Sequence, residues 1–317
     1  MGHDKPLLTG IALAMVGSVL FSGKAIVVKL AYRYGVDAAT LIALRMLFAA
    51  PVFAVVYFLS GRMSGPLSLL DHLRVGAIGL VGYYGASYLD FLGLQYVTAG
   101  LERLILYLNP TLVLLLTVVV FARRPNRRDY ISFVLAYTGI GLALWHDLSL
   151  NGEYVMRGVA LVFASAICYA VYLTGSGELV ARIGAIRLTA HAMLAATAGV
   201  VIQCFVLDAR AITEQPAEVY WLSAANALLC TVVPVFATMI AVERIGAGRT
   251  SIAAMIGPVS TILLAWIFLG EGMSAWQGAG TVFVLAGIVL MTQSRAPASH
   301  ISRDAQSSGP TGPSSAS

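Results

Sequence analysis

Charge is what this sequence has least of. Lys, Arg, Asp and Glu make up 11% of its 317 residues, where a soluble domain carries about a quarter. Too little polar surface remains to cover a water-exposed globule, which excludes a soluble fold. Cysteine is scarce too. Cys168, Cys204 and Cys230 stand singly inside apolar runs, with no CxxC or metal-ligand spacing, so they read as small packing residues and no metal is expected. No GxxxxGK[ST] occurs, so the chain is not itself an ATP motor. No HExxH or GxSxG occurs either, which argues against an intramembrane enzyme acting on lipid. No cofactor is called for.

What is present is hydrophobic: 59% of the residues, with a mean hydropathy of +0.84. That composition reads as an integral membrane protein whose first partner is the lipid bilayer. The net charge of +5 and pI near 9.2 would suit a nucleic-acid binder. However, the basic residues fall in short clusters between apolar segments, as loop charges that set topology do, and no nucleic-acid partner is expected. The N-terminus MGHDKPLLTG runs into the first apolar stretch without a small-x-small cleavage site, so that stretch reads as a retained span. Pro6 spoils the MGxxx[ST] myristoylation pattern.

A spanning helix needs about 17–25 mostly apolar residues. Ten stretches meet or approach this: 8–30, 38–60, 73–95, 98–121, 129–146, 156–177, 186–207, 219–242, 247–269 and 275–293. They are called helices 1 to 10 below. The tail 295–317, rich in Ser, Pro, Gly and Ala, has too few apolar residues to offset ordering entropy and is expected to be disordered. With the N-terminus inside, inner segments hold Lys5, Arg62, Arg74, Arg123, Arg124, Arg127, Arg128, Arg182, Arg187, Arg244, Arg249, Arg295 and Arg303. Outer segments hold Arg33, Arg157 and Arg210, with Lys29 near the outer boundary, and two outer loops are acidic, with Asp147 and Glu153 in one and Asp208, Glu214 and Glu218 in another. The positive-inside rule then puts both termini in the cytoplasm, in a multi-pass protein of the cytoplasmic membrane. The run RRPNRRD (123–129) reads as a topology determinant rather than a binding patch.

The chain repeats itself at an offset of 148. GLQYVTAGLERLILYLNP (93–110) aligns with AVERIGAGRTSIAAMIGP (241–258), and the register holds to YTGIGLAL (137–144) over LAGIVLMT (285–292). Pro110 matches Pro258, Gly100 matches Gly248, and Gly139 matches Gly287. Each repeat spans five helices. Five is odd, so the second copy enters the membrane upside down. The basic run Arg123, Arg124, Arg127 and Arg128 accordingly answers to Glu271, Gly272, Ala275 and Trp276. Inverted repeats are a common plan of secondary transporters, with the substrate between the halves.

These features resemble the EamA repeats of the drug/metabolite transporter superfamily. The resemblance is carried by VTAGLERLILYLNPTLVLLLTVVVFA (97–122) and IGAGRTSIAAMIGPVSTILLAWIFLGE (245–271), by the LGE ending (269–271), and by the Gly-rich helices that follow. It covers roughly 8–293. The first repeat departs from the pattern, ending FARR (121–124) where the family often has an acid. The resemblance implies an all-α integral membrane protein of ten helices, with EamA repeats over 8–146 and 156–293. It also implies a secondary transporter of amino acids, other metabolites or drugs, working by alternating access. A homodimer is left open.

Ionisable groups inside a membrane are costly, at about +2.5 to +3.5 kcal/mol each at a helix centre. The first half has five: Lys24, Arg45, Asp90, Glu102 and Arg103. At about 1.5 Å per residue, all lie about 6–10 Å below the outer helix ends, at one level of helices 1 to 4. On helix 3, Tyr83, Ser87 and Asp90 share a face with Tyr84 beside it; on helix 4, Thr98, Glu102 and Asn109 share one, with Arg103 and Tyr107 on the next. One reading is structural, with Lys24 or Arg45 paired to Asp90 or Glu102. The other is a substrate-binding and coupling site, built from Lys24, Arg45, Tyr84, Ser87, Asp90, Glu102, Arg103, Tyr107 and Asn109. Three cations against two carboxylates leave one excess positive charge, which favours an anionic group such as a carboxylate. A carboxylate here could also carry a coupling proton. The repeat counterparts Tyr172, Thr238, Thr250 and Ser251, and Ala192 for Arg45 with a one-residue shift, are all neutral. One copy therefore builds its helices without the charges, which favours function.

Pro110 and Pro258 each remove a backbone hydrogen bond and are expected to kink helices 4 and 9, with Asn109 filling freed acceptors. His191 reads first as a packing residue and second as a proton relay. Trp145, Trp221 and Trp276 read as interface anchors, and Trp266 as packing or lining the cavity. The function these features support is secondary active transport, as an exporter, of a small-molecule solute such as an amino acid or other carboxylate across the cytoplasmic membrane. The alternative on the same fold is a flippase for an amphipathic lipid.

Overall fold

A computed structural model describes residues 4–64, 67–121, 126–272 and 274–294. The tail 295–317 and Arg123 and Arg124 of the basic run lie outside the described residues. Among the described residues the regular structure is entirely helical, with no strand. Seven helical segments, in helices 1, 2, 4, 6, 7, 8 and 9, are individually long and apolar enough to cross a membrane, and Ala275–Leu290 in helix 10 is shorter. With helices 3 and 5 they make a ten-helix membrane protein. Large apolar side chains face outward along the bundle, among them Val119, Phe205 and Val206, as lipid contact requires. Trp145, Trp221 and Trp276 are exposed, and Trp266 is too, at 63%, so it faces away from the interior.

Helix 1 is Asp4–Tyr32 and helix 2 is Ala38–Ser64. Helix 3 has three parts: Leu69–Gly79, a π-helical turn Leu80–Gly85, and Ala86–Gly93. Helix 4 is Ala99–Leu106, then a break, then Asn109–Phe121. Helices 5 and 6 form one helical stretch, Arg127–Ile183, stopped by Gly184 with positive φ beyond the expected end at 177. In a straight helix Ala136 and Ala166 would be about 45 Å apart. Instead both join one buried cluster with Leu108 and Leu112, so the two halves pack as separate helices. Helix 7 is Ala185–Asp208. Helix 8 is Ala217–Ala227 with a π turn Leu228–Val232, continuing in Val233–Ala253, which is interrupted at Gly246. Helix 9 resumes as Ile256–Leu269, and helix 10 is Ala275–Ser294.

The packing repeats as the sequence does. Helix 1 lies against helices 8 and 9, and helix 6 against helices 3 and 4; helices 2 and 7 pair with each other, as do 5 and 10. Exchanging the two repeats maps this list onto itself. The local irregularities repeat as well: the π turns start at Leu80 and Leu228, which differ by 148. A π turn inserts a residue into the helix and is frequent at functional sites; nothing in the apolar pattern signals it.

Close approach fixes the 5–10 contact. A Cβ on Gly139 would stand 2.6 Å from the Gly280 carbonyl oxygen and 2.9 Å from Val284 N. Gly139→Leu should therefore force the helices apart. Overpacking of this kind costs about 1–3 kcal/mol; the expected readout is a lower melting temperature of the detergent-purified protein. Gly141→Leu is the control, since a Cβ there meets nothing within 4 Å.

Candidate solute-binding and coupling site

Helices 1, 3 and 4 bring three of the intramembrane charges into contact. Lys24 Nζ donates to Asp90 Oδ2 at 2.5 Å and lies 3.2 Å from Glu102 Oε1. All three are buried; Glu102 is 0% exposed. One ammonium thus faces two carboxylates. The guanidinium groups flank this triad without a carboxylate partner among the described residues. Arg45 Nη2 donates to Ser87 Oγ at 2.8 Å, and the group sits 4.9 Å from the Phe91 ring centroid. Arg103 Nη2 donates to Ser22 Oγ at 3.3 Å, and its guanidinium lies over the rings of Phe21 and Tyr107 at 4.9 and 5.2 Å.

The cluster leaves polar atoms unused. Among the described residues, Arg45 Nε, Arg103 Nε, Asp90 Oδ1 and both Glu102 oxygens are buried without a hydrogen bond, although Glu102 Oε1 is ion-paired with Lys24. Such atoms cost about 1–3 kcal/mol each, more when charged. A purely structural tie is under pressure to satisfy them. They sit on three helices, 2, 3 and 4, and leave hydrogen-bonding capacity there that no described residue takes up.

The two proline breaks lie against this cluster. Pro110 has no N–H, which frees the carbonyl four residues back, Leu106 O. Asn109 Nδ2 donates to that oxygen at 2.8 Å, leaving its own Oδ1 unpartnered. The break itself falls at Tyr107 and Leu108, and Pro110 sits in the first turn of the resumed helix. Pro258 frees Ala254 O in the same way. That oxygen accepts from Ser18 Oγ at 2.6 Å and from Tyr107 OH at 3.0 Å. Ser22 Oγ donates to Gly257 O at 2.9 Å. A relay of contacts therefore runs from Arg103 through Ser22 to the break in helix 9.

Other candidates stand apart. Tyr84 stacks on Tyr88 at 6.4 Å, and Leu80 and Tyr84 lie over Gly199 of helix 7. Tyr83 faces Tyr172 and Tyr169 at 4.8 and 6.2 Å rather than the charges. An unbroken 3.6-residue period placed Tyr83 with Ser87 and Asp90; the π turn at Leu80–Gly85 shifts the azimuth of the tyrosines before them. Tyr172, the counterpart of Lys24, belongs to this aromatic cluster. His191 lies near the opposite end, its ring 4.9 Å from His72 and 5.3 Å from Tyr57. Ser18, Ser22 and Phe21 were not singled out in the sequence, although Ser18 and Ser22 are a hydroxyl pair at i, i+4 just before Lys24. Asn226 was missed as well: it is fully buried, with neither amide atom partnered, just ahead of the second π turn.

The fold and its inverted packing define a membrane transporter class. A family model described as the EamA-like transporter family matches twice, over residues 8–145 and 156–293. The chain belongs to that family. It is 30% identical over 294 residues to the uncharacterized transporter YcbK of Bacillus subtilis, covering 88% of this chain and 92% of that protein. It is 27% identical over 202 residues to the threonine/homoserine exporter RhtA of Escherichia coli K12, covering 61% and 62%. A solved crystal structure superposes with a TM-score of 0.60 at 16% identity, over 90% of this chain and 96% of that one, a likeness of fold alone.

The triad makes an energetic prediction. Removing one member of a buried ion pair costs about 3–5 kcal/mol, so Lys24→Met should lower the melting temperature of the purified protein markedly. Adding Asp90→Leu should recover part of the loss. The coupling between the two positions should be about 0.5–3 kcal/mol. Additive losses would mean the pair carries no net stability.

Proposed function

We propose that this protein is a secondary active transporter moving a small carboxylate-bearing metabolite, such as an amino acid, out of the cell by alternating access. The observation that carries the reading is the buried cluster of three cations and two carboxylates on helices 1 to 4. It has one formal positive charge in excess and two guanidinium groups without a carboxylate. A carboxylate docking at Arg45 and Arg103 would neutralise that excess through charge-assisted hydrogen bonds. The unpartnered amide of Asn226 would supply further polar contacts from the second repeat. RhtA, whose name gives threonine and homoserine, supports the choice of amino acids as first substrates to test. The orientation proposed has both termini in the cytoplasm of a cytoplasmic membrane, with Lys29 and Glu271 outside. Protons are the proposed coupling ion.

The test is counterflow and pH-gradient-driven transport of an amino-acid mixture in proteoliposomes. Wild-type protein should move at least one amino acid. Arg45→Ala and Glu102→Gln should each cut the rate at least about tenfold, equivalent to about 1.4 kcal/mol, while eluting as the wild type does on size exclusion. Wild-type rates equal to empty liposomes would sink the reading. Full activity in both variants would move the site elsewhere.

A further inference from the structure

A second charged constellation lies beyond the first, at the Lys29 end of the bundle. Lys29 Nζ pairs with Glu271 Oε1. Glu271 Oε2 accepts from the backbone N–H of Ala99 at 2.9 Å. Lys29 is on helix 1 of the first repeat. Glu271 follows helix 9 of the second, aimed by Gly270 in a left-handed conformation (φ 71°). Ala99 opens helix 4 and stands one turn before Glu102 and Arg103. One carboxylate thus pins both repeats together and caps the helix that carries two of the buried charges. Lys24 lies five residues, about 7.5 Å, below Lys29.

A cavity of about 430 Å³ opens over this pair, lined by Tyr32, Arg33, Gln95 and Leu269 as well as by Lys29 and Glu271. That volume falls in the range of small-molecule sites, about 300–1,000 Å³. Two cations against one acid leave it one formal positive charge in excess, the same sign as the buried cluster beneath. The pair is mostly buried but borders the cavity, both side chains being 19% exposed, so a solute in the cavity can reach it.

From these contacts we infer that the Lys29–Glu271 pair is a gate over the buried cluster, and that the cavity is a way-station for a carboxylate. A carboxylate arriving there takes the place of Glu271 on Lys29. Glu271 then releases Ala99 N–H, the start of helix 4 is left with its Thr98 cap alone, and the path to Arg103 and Lys24 opens. The inference rests on the transporter reading above.

The test uses the full chain in sealed vesicles, with Cys168, Cys204 and Cys230 replaced by alanine and Ser87→Cys as reporter beneath the gate. The readout is the labelling rate by a membrane-impermeant methanethiosulfonate from the Lys29 side. Lys29→Gln and Glu271→Gln should each speed labelling by about tenfold or more, as expected when a closed state is destabilised. The charge-swapped pair Lys29→Glu/Glu271→Lys should return the rate towards the starting value. Acetate should speed labelling of the unaltered gate, and methylammonium should not. Unchanged rates in both single variants, a charge swap as fast as the singles, or equal effects of acetate and methylammonium would overturn the proposal. Amino-acid counterflow by the same gate variants with Ser87 and the three cysteines left native separates the two ideas: a gate response without transport by the otherwise native protein sinks the functional reading alone, and transport without a gate response sinks the gate alone.

Discussion

A single ammonium held between two carboxylates inside a lipid-facing bundle is the constraint on which the rest of this structure turns. Water screening is nearly absent there, so attraction between opposite charges and the penalty for any unpaired charge are both large. Lys24 can satisfy Asp90 and Glu102 only if helices 1, 3 and 4 converge at one depth. Arg45 and Arg103 are held nearby by hydroxyls and aromatic faces instead of acids. The cluster is therefore anchored at its centre and underfilled at its edges. That asymmetry separates it from a simple inter-helix tie.

The proline breaks connect this cluster to the second repeat. A missing N–H frees a carbonyl at each break, and the two carbonyls are claimed differently. In helix 4 the neighbouring Asn109 takes it locally. In helix 9 hydroxyls from helices 1 and 4 take it across the interface. A Cβ on Gly257 would stand 2.8 Å from Ser18 Oγ and 2.9 Å from Arg103 Nη2, so glycine there lets the second break lie directly against the charged half. The break in helix 9 and the guanidinium of Arg103 therefore share one contact surface.

The repeats share helices, breaks and π turns but not chemistry. Where the first carries Lys24, the second carries Tyr172 in a cluster of three tyrosines. Duplication thus supplied a symmetric frame, on which one half holds charge and the other aromatic packing. Membership of the EamA-like transporter family accounts for the frame; the charges are this chain's own problem of burial.

Composition, apolar length and the offset of 148 determined the membrane class, the ten spans and the inverted repeat, and gave an expected level for the charges along helices 1 to 4. Those properties are local and additive along the chain: hydropathy sums over a window, and depth follows from rise per residue. Tertiary structure decided which charges meet. Lys24 chose both acids, Arg45 took Ser87, and Glu271, legible only as part of an LGE motif, capped helix 4 from the other repeat. The π turn at Leu80–Gly85 rotated Tyr83 and Tyr84 away from the face that an ideal helical period assigned them. Partner choice depends on distances between helices and on the azimuth of each side chain. A single inserted residue resets that azimuth without leaving a mark in the hydrophobic pattern.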